Sequence, residues 1–169
     1  LLLCAAFVVP LPSCGEPPRT YFDRAVLNTN LFHDFASESM ERQLESPSVK
    51  LDPKTGATSP MTRKETVETK IAAVEASLAK VRKLPDTEDS RDIVQASLAL
   101  HEYVLPVYRD DYLRLAKLYD DGAPKGEIEK FSADIIAKHA PQFAALSERL
   151  TTDGKAYAAR HDIKVQWDV

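Results

Sequence analysis

Between residues 67 and 81 the apolar side chains Val67, Ile71, Val74, Leu78 and Val81 step by four, three, four and three, with Lys, Glu and Arg elsewhere. A helix of 3.6 residues per turn lays them along one stripe and sends the charges to the other side. Such a stripe is a seam, and it packs against other helices at the shallow angle of an antiparallel bundle. The pattern predicts a helix from about Pro60 to Leu84, ended by Pro85-Asp86-Thr87. Gly is scarce, at 5 in 169 residues, and Pro clusters at boundaries, which favours long helices over a sheet.

Three further helices follow from the same periodicity. The first is predicted from about Arg19 to Leu44, on Phe22, Ala25, Val26, Phe32, Phe35, Ala36 and Met40, and Ser46-Pro47 stops it because the residue before Pro is pushed out of helical geometry. Residues 46–60 then form a long connection in which Val49 and Leu51 alternate with Lys50 as a short extended piece. The third helix starts at a cap on Asp89 or Ser90. It buries Ile93, Leu100, Val104, Val107 and Leu115, and ends in the turn Asp120-Asp121-Gly122. The fourth starts near Pro124, carries Ile128, Phe131, Ile135, His139, Phe143, Leu146 and Leu150, and runs to Arg160 despite Gly154. The alternation Ile163-Lys-Val165-Gln-Trp167 predicts an extended tail, paired with the Val49 to Leu51 piece or lying on the helices with Trp167 as anchor. The expected fold is therefore all-α: an antiparallel up-down four-helix bundle with a short extended C-terminal tail.

Pro106 and Pro141 fall inside the third and fourth helices, at similar distances from Gly122. Each removes a backbone hydrogen bond and bends its helix. Matched bends keep the two helices in contact as a curved hairpin, or open the bundle to a ligand.

The N-terminal stretch speaks to location. Leu1 to Leu11 is uncharged and apolar, shorter than the ~20 residues a membrane-spanning helix needs and of the length of a signal-peptide core. Leu11-Pro12-Ser13-Cys14 resembles the bacterial lipobox, with an aliphatic residue three before the Cys and a small one just before it. The resemblance implies a diacylglycerol on the Cys14 sulfur, cleavage before Cys14 and acylation of the new amino group. Several acyl chains at roughly 0.8 kcal/mol per buried CH₂ make a stable anchor without a transmembrane helix. On this reading residues 1–13 are a cleaved signal peptide, 14–18 a spacer and 19–169 one helical domain. Gly15 in place of Asp after the Cys, by resemblance to proteobacterial sorting, directs the product to the outer membrane or cell surface.

Composition removes several function classes. With Cys4 in the leader and Cys14 as the lipid site, no thiol is left for a disulfide, a nucleophile or a Cys-type zinc site. A net charge of -4 with interspersed signs argues against nucleic acid as a partner. No Cys-x-x-Cys-His is present, which excludes covalent c-type haem, and there is no phosphate loop, Gly-x-Ser-x-Gly elbow or His-Glu-x-x-His. Di-metal bundle sites need Glu-x-x-His, also absent. The acid pairs Asp110-Asp111 and Asp120-Asp121 read as solvated surface and turn. His139 lies on the apolar stripe of the fourth helix, as a hydrogen-bonded core residue or, with His101 or His33, as a ligand to a metal or haem. Tyr103, Tyr108, Tyr112 and Tyr119 enrich the third helix, packing core and rim or lining a groove.

The stretch Tyr108-Arg-Asp-Asp-Tyr112-Leu-Arg-Leu-Ala-Lys-Leu-Tyr119-Asp-Asp-Gly122-Ala-Pro124, with Ile128 after it, and the ending Ala158-Ala-Arg-His161-Asp-Ile-Lys-Val165 resemble a set of surface lipoproteins of spirochaetes and Bacteroidetes. The resemblance covers most of the mature domain. It implies a lipid-anchored helical protein of unknown molecular function and supplies no catalytic residues. The expectation is a non-catalytic envelope module that needs no cofactor, held to a membrane by its lipid and meeting a protein or small-molecule partner. The alternative is a bundle that holds a metal or haem.

Overall fold

The computed structural model describes residues 16–167. The signal peptide and Cys14 lie outside them. The chain is mostly helical, and no helix among the described residues is long and apolar enough to cross a membrane.

The first predicted helix is instead three pieces: α1 at Pro18–Ala25, a 3-10 segment at Leu27–Phe32, and α2 at Glu38–Glu45. The cause is local. Asn28, Thr29 and Asn30 offer side chains that compete with helical hydrogen bonding. The Thr29 hydroxyl donates to the Val26 carbonyl at 2.6 Å, and the His33 ring donates to the Asn30 carbonyl at 3.0 Å. Ala36 then takes a left-handed conformation, φ 47°, which costs a non-glycine residue roughly 1–2 kcal/mol. Its amide is repaid from across the molecule by the Tyr112 hydroxyl, which accepts it at 2.8 Å. Ser37 caps α2 by accepting the Ser39 amide.

The connection after α2 is a β-hairpin, β1 at Val49–Leu51 and β2 at Thr58–Pro60, with Val49 opposite Pro60. The expected extended piece is present, but its partner is β2 rather than the C-terminal tail. Gly56 supplies the positive φ of 69° that closes the loop.

The seam helix, α3, spans Arg63–Arg82 and buries Val67, Val74, Leu78 and Val81, while Ile71 is half-buried. It starts three residues later than expected because Pro60 belongs to β2. Its N-terminus carries a capping box: Thr62 Oγ accepts the Glu65 amide at 3.1 Å and Glu65 accepts the Thr62 amide at 2.9 Å. A second cap comes from Asp120, whose carboxylate accepts the amides of Arg63 and Lys64, both at 3.0 Å. The Asp120 side chain is therefore a bridge between helix ends and not a solvated turn residue. A carboxylate there also faces the positive end of the helix dipole.

The third rod joins α4 at Arg91–Val107, one π turn at Tyr108–Tyr112 and α5 at Leu113–Asp120. Neither Asp89 nor Ser90 caps α4 with a side chain. The Thr87 hydroxyl accepts the Ser90 amide at 3.2 Å, while Asp89 reaches across to His161 at 2.7 Å. Pro106 does not break the rod; the wider turn follows directly behind it, a known way to absorb a local mismatch in a helix. Gly122, φ 70°, reverses the chain.

The last helix, α6, runs 36 residues from Lys125 to Arg160 without interruption at Pro141 or Gly154. Gly154 has a packing reason: a Cβ there would sit 3.2 Å from Val26 and 3.3 Å from Trp167. After Asp162, also left-handed at φ 51°, the tail folds back. Trp167 packs edge-on against Phe22 at 5.8 Å with the Lys155 ammonium 5.6 Å from its ring. Of the two placements expected for the tail, the structure takes the one on the helices.

Candidate functional site

The break in the first helix and the return of the tail leave a cleft of about 310 Å³ between the 3-10 segment, α6 and residues 165–167. Its floor is Val26, Phe32, Leu100 and Leu150, all buried. Asn30, His33 and Gln166 stand exposed at its edge, and Ser147 and Thr151 line the α6 side. Phe143, two residues past Pro141, forms one wall. An opening therefore exists near Pro141, which does not interrupt α6, and its other walls are the 3-10 segment and the tail. Pro106 instead borders a separate depression between α3 and α4.

Behind Phe143 lies an aromatic cluster. Phe35 is 4.8 Å from Phe143 and faces the rings of Tyr103, Tyr108, Tyr112 and His139 at 5.5–6.4 Å between centroids. Through it runs a hydrogen-bonded relay. The Tyr103 hydroxyl donates to His139 Nδ1 at 2.9 Å, and His139 Nε2–H donates to Asp111 at 2.8 Å, the tautomer that this chain of bonds requires. Lys138 adds a second donor to Asp111 at 3.2 Å. Burial alone raises the Asp111 carboxyl, but the hydrogen bonds from His139 and Lys138 outweigh it and hold the group below its ordinary value. Burial pushes the Tyr103 phenol up. Tyr103, His139 and Asp111 have the order of a nucleophile, base and orienting carboxylate. None of the three lines the cleft of about 310 Å³, and the relay links α4, the π turn and α6 through hydrogen bonds.

A second buried group centres on Asp34, which is fully buried. Its carboxylate pairs with Lys70 at 2.5 Å and accepts from Gln43 at 2.8 Å and from the Tyr108 hydroxyl at 3.3 Å. Burial and the adjacent carboxylate push the Tyr108 phenol far above its usual range. The cluster ties the irregular 33–37 turn to α3 and to the π turn.

The histidines singled out in the sequence do not come together. His101 is buried in α4, its Nδ1–H donating to the Ser97 carbonyl at 2.8 Å and its Nε2 accepting from Ser77 at 2.8 Å, with Phe32 edge-on at 4.9 Å. His139 is engaged on both nitrogens, and His33 stands at the rim of the cleft. Among the described residues no three His, Cys, Asp or Glu side chains form a group that could hold a metal ion. Cys14 lies outside the described residues. Sequence reasoning passed over Ser77 and the burial of Asp34, and it read Asp111 as solvated surface, whereas the Asp111 carboxylate is largely covered and bonded to His139 and Lys138. The signal for His101 as a core residue was present, since it sits four after Ser97 and three before Val104 on the stripe that buries Leu100.

Burial lowers the His101 pKa below its usual 6.5. The unfolded chain therefore binds a proton there at a pH where the folded chain does not, and stability present above about pH 6.5 is lost as pH falls below it. Chemical denaturation between pH 7.5 and 5 is expected to show this loss, and His101→Gln is expected to flatten that limb relative to the native chain. Equal slopes in the two proteins would contradict a neutral, buried His101.

No protein-family model matches the chain, and neither the curated proteins nor the solved structures yielded a match.

Proposed function

We propose that this chain is an exported, lipid-anchored protein of the bacterial envelope whose helical body is a binding module rather than an enzyme. The tether rests on Leu11-Pro12-Ser13-Cys14 and on the resemblance to surface lipoproteins. The observation that carries the binding half is the cleft of about 310 Å³, which has an apolar floor, a polar edge and no Asp, Glu, Lys, Arg or Cys among its lining residues, a make-up that suits a small-molecule site. The body is best described as an antiparallel up-down four-helix bundle whose first member is split into α1, the 3-10 segment and α2. In support, the loops at 83–90 and 121–124 reverse the chain between its long helices, and α6 packs along α4.

Orientation follows from the same reading. Pro18 begins α1 four positions past Cys14, and Asp23 and Arg24 lie beside Lys80 and Lys83 at the end of α3. An anchor preceding α1 would then meet the body at the end where α3 finishes. The hairpin, with Val49 and Leu51 both more than 60% exposed, joins the opposite end of α3 and would face away from the membrane. Metabolic labelling with a fatty acid tests the anchor. The native chain is expected to take the label and Cys14→Ala to lose it; equal labelling of both, or of neither, would overturn the lipoprotein half.

A further inference from the structure

We infer that the cleft takes an uncharged, largely apolar small molecule, held on the half-buried Leu27, Phe143 and Val165 and closed in by Trp167 of the returning tail. The inference rests on the reading of the body as a binding module and gives that module its ligand class.

Charge decides the class. None of the residues lining the cleft is Lys, Arg, Asp or Glu. The one titratable lining group, His33, stands exposed at the edge with a ring nitrogen committed to the Asn30 carbonyl at 3.0 Å. A charged ligand would lose water and find no counter-ion, a penalty the site has no means of offsetting. Other depressions on the molecule differ. One between α5 and α6 is lined by Lys117, Asp121, Lys130 and Asp134, which form ion pairs with one another.

Shape and polarity narrow it further. A volume of about 310 Å³ is near the lower limit of ordinary small-molecule sites. The half-buried Leu27, Phe143 and Val165 meet an apolar body, while Asn30, Ser147, Thr151 and Gln166 offer neutral donors and acceptors at the edge, enough for a hydroxyl, amide or arylamine on the ligand. The tail is a wall rather than a bystander. Val165, Gln166 and Trp167 line the cleft, and Gly154 admits the indole to van der Waals distance of α6. Trp167 is the single Trp of the chain, so the wall reports on its own occupancy.

The test uses the full chain carrying Cys14→Ala, so that neither an acyl chain nor a micelle competes for the probe. The probe is N-phenyl-1-naphthylamine, a neutral two-part aromatic amine, compared with 8-anilino-1-naphthalenesulfonate, the same skeleton with a fixed negative charge. The neutral dye is expected to bind saturably at one equivalent, to quench Trp167 by energy transfer, and to bind at least about tenfold more tightly than the sulfonate. Ser147→Phe or Thr151→Phe, each filling the cleft from the half-exposed side of α6, is expected to abolish the quenching while circular dichroism stays helical. Two results overturn the inference: no saturable quenching of a folded protein, or quenching that survives both filling substitutions. Equal affinity for the two dyes would overturn the ligand class. Because the tether is absent from this protein, each outcome is independent of whether Cys14 is acylated.

Discussion

Asp34→Ala is expected to destabilise the protein by about 3–5 kcal/mol, the cost of leaving one member of a buried ion pair without its partner. The carboxylate has no exposure, and Lys70 is largely covered, with side-chain exposure of 19%. Removing Asp34 also strips the acceptor from the Gln43 amide and the Tyr108 hydroxyl. The lysine would keep only the Leu31 carbonyl at 3.4 Å. Much of the loss belongs to the orphaned charge rather than to the pair as such. Asp34→Leu combined with Lys70→Met is therefore expected to recover most of the stability, because well-packed apolar replacements of buried pairs are often neutral or better. Chemical denaturation of both singles and the double measures this. A single-substitution loss under about 1 kcal/mol would show that the pair does not hold the 33–37 turn.

Phe35→Ala should cost a similar amount, about 3–5 kcal/mol, by removing a large buried ring. The residue is 2% exposed, and five other rings converge on it from the π turn, α4 and α6. Edge-to-face contacts of that kind add to the area term. A drop in thermal midpoint of roughly 10 °C follows for a domain of this size. Phe35→Leu, which keeps most of the volume, is expected to lose well under half as much. Equal losses in the two would mean that ring geometry, and not filled volume, carries the site. The consequence reaches the cleft, since Phe35 is the backing of Phe143, and the alanine variant should weaken dye binding as well as stability.

Periodicity alone located the long helices well. Over α3 and α6 one apolar stripe runs unbroken, and Gly122 and Pro124 mark the turn into α6 with residues whose chemistry suits them, while the Thr62 cap of α3 was overlooked in favour of a start at Pro60. The first segment misled for a physical reason. Phe22, Phe32, Phe35 and Met40 all belong to the core, so their spacing satisfies a helix, yet local bonds from Thr29 and His33 and the left-handed Ala36 interrupt it. Nothing at Ala36 signals that turn; it exists because Tyr112, 76 positions away, accepts its amide. Asp111 was read as solvated surface for a related reason. Pro106 announces a bend, but not the π turn that follows it and that carries Asp111, whose carboxylate meets His139. Asp120 looks like turn surface until the start of α3 is brought beside it. The cleft was legible only in part, as an opening near the two prolines, because the 3-10 segment and the tail that complete its walls lack helical periodicity.

The cleft requires the tail to close against the helical body, and the emission of the single Trp tests that contact. Packed on Phe22, beneath Lys155 and against Gly154, Trp167 is predicted to emit to the blue of the unfolded chain and to resist acrylamide. Gly154→Val, which fills the space the indole occupies, is predicted to move the emission red while helicity is retained. A folded native protein whose Trp167 emits and quenches like the unfolded chain would contradict the docked tail, and with it the cleft.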